Sequence, residues 1–403
     1  MLSQFYPPLN GGIEQHVQSL SQTLVQRGHE VSVATLMHKN LPEFESVKGV
    51  KIYRIRGTMQ RLSKLFTTDR QHAPPFPDFE VVVTLRKIIK QEQPEIIHAH
   101  DWMIRSFLPI KRWSKGKLVR TLHDCELACA QMRYMFKDTQ LCEGPSGSRC
   151  AACVTHHYGR TKGLVTLGSN WGASQLEKGS VDAFIPVSHA IATANRLDSR
   201  RQVVHVLPNF VRDDITQEAE SLDPDLQLPP PGFILQVGDL VPDKGINVLL
   251  QAYRQLQSPP PLVLIGRRLA NSPQELPQGV ILIENLPHAL VMAAWKRCLF
   301  GIVASTCLDA SPTVTLEAMA SGRAVIGSRI GGIADQIVDQ KTGLLVQPGN
   351  VEQLKDAMTQ LILNTELRAR FGSAAKERVK DFQACRVVNQ IEDIYHELAH
   401  GKY

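Results

Sequence analysis

Asp309-Ala-Ser-Pro-Thr-Val-Thr-Leu-Glu317-Ala-Met-Ala-Ser-Gly322, then Arg-Ala-Val-Ile-Gly-Ser328 and Ile330-Gly-Gly-Ile333, is the stretch from which the fold can be read. Two carboxylates, Asp309 and Glu317, stand with seven residues between them around a marked helix start. Upstream, Leu299 to Ser305 is a short apolar run of the kind that forms a buried strand. Ser311 is placed to be an N-cap and Pro312 an N1 residue, while Gly322 stands where a C′ glycine belongs. Asp309 then lies on the loop, and the amides of Thr313 and Val314 point out of the helix start. Free amides and the helix dipole favour a phosphate there. Carboxylates beside it suit hydroxyls, because an ionised carboxylate only accepts hydrogen bonds. The pattern predicts a site for a nucleotide sugar.

Outward from this block, the chain alternates short apolar strands with amphipathic helices. Strands are expected at 31–36, 51–56, 95–100, 117–123, 183–188 and 203–207, and again at 233–237, 262–265, 280–284, 300–305 and 324–328. The helix 13–27 has Ile13, Val17, Leu20 and Leu24 on one face and Gly28 as its stop. Between the two series, Asp213–Gly232 is acidic and then rich in proline, as in a linker. Two β-α series imply an α/β protein of two doubly wound parallel-sheet domains facing across a cleft. The expected boundaries are 1–208, a linker at 209–231, and 232–382. A final helix at 383–403 must dock its apolar side. The start is unusual: Met1–Gln4 runs at once into the turn Phe5–Gly12, where a full strand normally leads into such a loop. Either the chain begins inside that strand or the first sheet lacks a central strand.

Composition bounds the function. Apolar content of 43% and charged content of 21% are those of a globular chain. No run reaches the roughly 18 apolar residues of a membrane span, and nothing resembles a signal peptide, so a cytoplasmic location is the default expectation. Residues 1–205 carry 27 Lys+Arg against 17 Asp+Glu, and the remainder 18 against 22. The surplus gathers at Arg54, Arg56, Arg61 and Lys64, and at Lys111, Arg112, Lys115, Lys117 and Arg120. It reads either as attraction to an anionic membrane or phosphorylated acceptor, or as a solvated surface. Nucleic acid is not expected, because no aromatic platform is interleaved with the basic residues.

Further residues carry chemistry. Gly11-Gly12 opens a helix and lets the backbone approach a phosphate. Gly238 follows a strand, and Lys244 at the next helix start is placed to neutralise a leaving diphosphate. Arg267 ends the following strand on the same side. His98 and His100 read as structural histidines at a strand end, and His123 as a functional one. Cys129, Cys142, Cys150 and Cys153 can make a tetrahedral zinc site, the alternative being free thiols in a mobile loop. An all-cysteine site leaves no open position, so zinc there is structural.

Taken together, Gly11-Gly12-Ile13-Glu14, Val206-Leu207-Pro208-Asn209, the segment ending Lys244-Gly245, and the Asp309–Gly322 block resemble the family-four retaining GT-B glycosyltransferases (glycosyl transferases group 1). The resemblance implies hexosyl transfer from a nucleotide diphosphate sugar to a glycan or lipid-linked acceptor, in polysaccharide or glycoconjugate biosynthesis, with no metal needed for the step. It implies that Glu317 holds the ribose, Asp309 the donor sugar, and Lys244 with the amides after Ser311 the diphosphate. Gly12 then closes over the donor from the other domain, His123 lies beside the sugar, and the final helix crosses back to the N-terminal domain. A cysteine-bearing insertion, here 125–153, occurs in some members. The enzyme is expected in the cytoplasm, peripheral at the inner membrane face. Two departures stand out. The family usually has Glu at Asp309, and Arg at Asp239, where an anion opposes phosphate. Arg267 can restore the charge, in which case Arg267→Ala abolishes donor binding. The alternative is a catalytically impaired nucleotide-sugar-binding partner protein. A nicotinamide oxidoreductase is excluded, since no Gly-x-Gly-x-x-Gly follows an early strand.

Overall fold

The computed structural model describes residues 1–9, 11–38, 41–58, 72–217 and 228–401. Arg61, Lys64 and the middle of the expected linker lie outside the described residues. The chain divides into two compact units: Met1–Val187 with Ile191–Leu207 and Val387–Tyr403, and Ser188–Ala190 with Pro208–Arg386.

In the second unit, six parallel strands stand in the order Val280–Ile283, Leu262–Ile265, Ile234–Val237, Phe300–Val303, Val325–Ser328, Gly343–Val346. Numbered along the chain this is 3-2-1-4-5-6, a doubly wound Rossmann-like sheet. Successive strand residues feed opposite cores. Leu235, Val263 and Val303 join Trp295, Leu316 and Ile333 on one face, while Ile234, Leu262, Leu264 and Ile302 join Leu249, Met358 and Phe371 on the other. Burial on both faces is why these strands read as continuous apolar runs. The last strand, Gly343–Val346, was not among those expected.

The first unit repeats the plan. Ser32–Leu36 pairs in parallel with Val50–Ile55, which takes Phe44–Val47 as an antiparallel edge. Ile96–Ala99, Lys117–Leu122 and Ala183–Pro186 form a second parallel run. The two runs are joined by the first residues of the chain. Leu2 N–H donates to His98 O at 2.7 Å and His100 N–H to Leu2 O at 2.9 Å, while Ser3 N–H donates to Ala34 O and Ala34 N–H to Met1 O. Met1–Gln4 therefore fills the central slot, and the expectation of a sheet lacking that strand is overturned. By contrast, the strand expected at 203–207 is reduced to one bridge between Phe184 and Val204.

Helix Gly12–Gln26 buries His16, Val17, Leu20 and Leu24. The final helix, Ala384–Ala399, buries Val387, Val388, Ile391, Ile394 and Leu398. Its Glu392 meets Arg27 and His29, and Tyr395 Oη lies 2.5 Å from His98 Nδ1. Helices Gly147–Tyr158 and Arg160–Ser180, both unforeseen, pack on each other. Among the described residues, no helix is long and apolar enough to cross a membrane.

Part of the basic surplus is internal. Arg120 and Arg105 are wholly buried, and Arg54 is buried against Glu45. Arg105 Nε donates to Glu177 Oε1 at 3.0 Å, and Arg120 pairs with Glu126 and donates to Asp101 O at 2.7 Å. Reading Arg54 and Arg120 as surface charge was therefore incorrect: a sequence displays charge but not the carboxylates folded against it.

Candidate active site

In an open 3-2-1-4-5-6 sheet, ligands bind beyond the carboxyl ends of the two strands where the winding reverses. Here those strands are Ile234–Val237 and Phe300–Val303, and the loops leaving them carry Gly238–Lys244 and Ala304–Pro312. Lys244 ends a short 3-10 turn, Pro242–Lys244. Gly245 follows at φ +73°, where a Cβ would fall 1.8 Å from Ala304 O. Only glycine lets the two loops touch this closely. The contact is sealed by Thr306 N–H donating to Asp243 O at 2.8 Å.

As a result, Lys244 Nζ stands 2.6 Å from Asp309 Oδ2, which also accepts from Ser305 Oγ at 2.8 Å. Burial pulls the Lys244 ammonium down, but the charge and hydrogen bond of Asp309 outweigh this and hold it above its ordinary value. Lys244 is therefore a fixed cation. Gly331 (φ +56°) and Gly332 lie against the carbonyls of Asp309 and Ala310, and Gly332 N–H donates to Asp309 O at 2.8 Å. The glycine pair of the opening stretch thus supports the loop that carries the carboxylate.

Helix Thr313–Ala320 starts one residue later than expected, with Pro312 as the cap position and no side-chain cap. Ser311 is not the N-cap. Its Oγ accepts from Asn209 N–H and from Gln336 Nε2, both at 3.2 Å, so the hydroxyl is engaged in tertiary bonds. Among the described residues, the amides of Thr313 and Val314 have no intramolecular acceptor. They leave the start of the helix open, the arrangement that helix ends offer to anions. One turn on, Glu317 is buried. Its Oε2 accepts from Trp295 Nε1 at 3.3 Å and its Oε1 lies 3.4 Å from His288 Nε2. Sequence reasoning missed Ser305, His288, Trp295 and Gln336. Ser305 is only four residues from Asp309, whereas His288, Trp295 and Gln336 are 22 or more residues from their partners and only the fold brings them in.

Gly238 N–H donates to Ile265 O at 2.9 Å, and beside it the Asp239 carboxylate takes two bonds from Arg267, at 2.9 and 2.7 Å. That bidentate pair cancels the atypical anion, and the Asp239 hydrogen bond and charge raise the Arg267 pKa further.

The other residues expected at the site belong to the first unit. Gly11 is extended (φ −172°) and caps helix Gly12–Gln26, and a Cβ on Gly12 would meet nothing within 4 Å. His123, at the end of Lys117–Leu122, is buried with Nε2 3.2 Å from His100 Nδ1 and its ring edge-on to His16. Burial keeps these neighbours neutral: His16 is pushed down to about 4, and His98 and His100 lie well below their ordinary value. Cys129, Cys142, Cys150 and Cys153 are free thiols around one small cavity.

Two family models match consecutive parts of the chain. Glycosyltransferase Family 4 covers residues 10–215, and Glycosyl transferases group 1 covers residues 220–378. An uncharacterized glycosyltransferase of Methanocaldococcus jannaschii is 22% identical over 94% of this chain and 92% of its own length. Another from that organism is 28% identical over 41% of this chain, and the match spans only 48% of that relative. Among solved structures, sucrose-phosphate synthase from Thermosynechococcus elongatus superposes with a TM-score of 0.72 at 18% identity, covering 98% of this chain and 94% of that one. Anabaena HepE in complex with UDP-glucose gives 0.68 at 17% identity, with 98% of each chain covered. At such identities the likeness speaks for the GT-B fold.

Proposed function

Because the chain belongs to glycosyltransferase family 4, we propose that it moves a hexose from a nucleotide diphosphate sugar to a glycan or lipid-linked acceptor with retention at the anomeric carbon. The observation that carries this reading is the convergence at the switch point of the Lys244–Asp309 pair with the open amides of Thr313 and Val314. In the proposed complex the diphosphate accepts from those amides and takes Lys244 as counter-cation. Glu317, oriented by Trp295 and His288, accepts from the ribose hydroxyls. Asp309 faces the sugar. As the anomeric C–O bond breaks, charge builds on the departing diphosphate, where fixed donors and a fixed cation stabilise it most. The acceptor hydroxyl attacks the face from which the diphosphate leaves, and His123 serves the acceptor side. Lys111 is paired with Asp182, and the surplus that remains at Arg112, Lys115 and Lys117 suits a peripheral position at an anionic membrane face. In this reading Lys244 and the amides stabilise the leaving diphosphate in place of a metal.

The test is a nucleotide-release screen over UDP-, GDP- and ADP-sugars with candidate acceptors. UDP-glucose goes first because a solved structure of similar fold was obtained with it. Acceptor-dependent release with an anomer of unchanged configuration, read by NMR, is the expected result. Neither turnover nor binding with any donor would sink the transferase reading, and binding without turnover would favour the impaired partner. Against that second reading stands the Arg267–Asp239 pair, which removes the electrostatic objection to a working site.

A further expectation concerns that pair. Arg267→Ala leaves Asp239 as an unpaired anion whose charge already reaches Lys244. Donor KM should rise on the order of tenfold, about the effect of one misplaced charge near the surface. The double change Asp239→Ala with Arg267→Ala should return KM towards the parent value. A double variant as weak as the single one would instead mean that Arg267 itself grips the donor.

A further inference from the structure

We propose that Cys129, Cys142, Cys150 and Cys153 form a closed structural zinc site that pins the segment following His123. Three separate elements deliver the four sulfurs. Cys129 lies in the turn after strand Lys117–Leu122, and Cys142 directly after the hairpin of Met135–Phe136 with Gln140–Leu141. Cys150 and Cys153 stand one turn apart near the start of helix Gly147–Tyr158. All four line one cavity of about 20 Å³. The fold also chooses among the cysteines: Cys125, the fifth in this window, is buried but does not line the cavity.

Backbone amides face three of the four sulfurs. The Cys129 sulfur takes the backbone amides of Gln131 and Tyr134. Cys142 Sγ takes Gly144 N–H at 3.4 Å, and Cys153 Sγ takes Lys137 N–H at 3.3 Å. Two of these amides, on Gln131 and Gly144, lie two residues beyond their cysteine, and N–H donors so placed spread the charge of a metal-bound thiolate. Reaching that geometry puts Met132, Tyr134, Lys137 and Asp138 at positive φ, four side-chain-bearing residues within seven positions. Such conformations are strained, and persist where the surroundings over-determine them. The positive end of helix Gly147–Tyr158 and Arg149 offset the charge of four thiolates.

The cavity is of a size for one ion. With four soft sulfurs and no open position, zinc in a structural role follows. The sulfurs are not yet at ligand spacing. Among the described residues, the group with ligating atoms within 4.8 Å of one another is His16, His100 and His123. In that group, however, His100 Nδ1 and His123 Nε2 already share a hydrogen bond at 3.2 Å. Zinc would draw the sulfurs in to about 2.3 Å from the ion.

The full chain, purified with zinc in the medium and desalted, should retain one equivalent of zinc by elemental analysis. Cobalt in its place should give the visible and thiolate charge-transfer bands of a tetrahedral sulfur site. Cys150→Ser with Cys153→Ser should lose the metal, whereas Cys385→Ser, an exposed cysteine of the other unit, should keep it. Should the double variant fail to fold, the parent chain still decides the matter by thiol labelling. Four thiols should be protected until a chelator is added. Zinc no higher in the parent than in the double variant overturns the site. So does labelling that a chelator does not change, or iron with labile sulfide in place of zinc.

Discussion

Replacing Lys244 with alanine is expected to lower kcat/KM by about 10²–10³-fold, the usual cost of removing one preorganised donor from a site of developing charge. The loss has two sources. The cation that would face the departing diphosphate disappears, and Asp309, nine-tenths buried, loses its partner at 2.6 Å. A carboxylate that was neutralised then projects its charge at the phosphate. The second effect raises donor KM and the first lowers kcat, so initial rates over a range of donor concentrations separate them. Lys244→Arg should not rescue the activity, because a planar fork cannot take the place of a point charge held between two loops. Stability should also fall, because Asp309 is left buried with Ser305 Oγ as its remaining side-chain donor, and urea unfolding of the variant separates this loss from the catalytic one. A fall in kcat/KM of less than about tenfold would move leaving-group stabilisation to the Thr313 and Val314 amides alone.

The legibility of this site in the sequence follows from what kind of interaction builds each part. Strands buried on both faces show themselves as apolar runs, so Leu262–Ile265 was expected at the very bounds observed. The helix after Asp309 was legible through Pro312 and Gly322, although Ser311 was misassigned because its hydroxyl answers to Asn209 and Gln336. That Arg267 compensates Asp239 could be suspected from charge alone, although Arg267 was expected on the diphosphate and is instead bonded to Asp239 itself. Met1–Gln4 could not be recognised as a strand, because four residues carry no periodicity. Their pairing on both sides comes from the strands at Ser32–Leu36 and Ile96–Ala99. Helix Arg160–Ser180 hid for the opposite reason. Its buried face is polar, with Thr166, Asn170, Ser174 and Glu177 inside, while Leu164, Trp171 and Leu176 are exposed. An inverted pattern of that sort makes sense only once the buried arginines it serves are known.

Those arginines set the second large effect: Arg120→Met should destabilise the protein by about 3–5 kcal/mol, the usual cost of breaking a buried ion pair from one side. Arg120 is fully buried and serves three groups: the Glu126 carboxylate, Asp101 O and, at 3.7 Å, Glu177 Oε2. Arg105 shares Glu177 and reaches Asn170 Oδ1 at 2.6 Å. Carboxylates outnumber guanidiniums in this cluster. Burial accordingly raises Asp124 to about 7 and Glu126 well above its ordinary range even with Arg120 in place. Without Arg120, ionised Glu126 has no compensating charge, so the folded state prefers it protonated. A carboxyl whose folded pKa is raised binds more protons folded than unfolded, and stability falls as pH rises through that window. The deficit of Arg120→Met relative to the parent should therefore be largest at alkaline pH and shrink as pH falls towards the ordinary carboxyl range. Urea unfolding at matched pH values, compared through midpoints at constant slope, measures it. A second change, Glu126→Gln, should recover part of the loss by removing the stranded charge. Because Arg120 precedes His123 by three residues and Glu126 follows it by three, the cluster also holds the histidine's loop at both ends. If Arg120→Met costs under about 1 kcal/mol, the range of an exposed pair, the guanidinium is not sealed from water and the loop draws its rigidity from elsewhere.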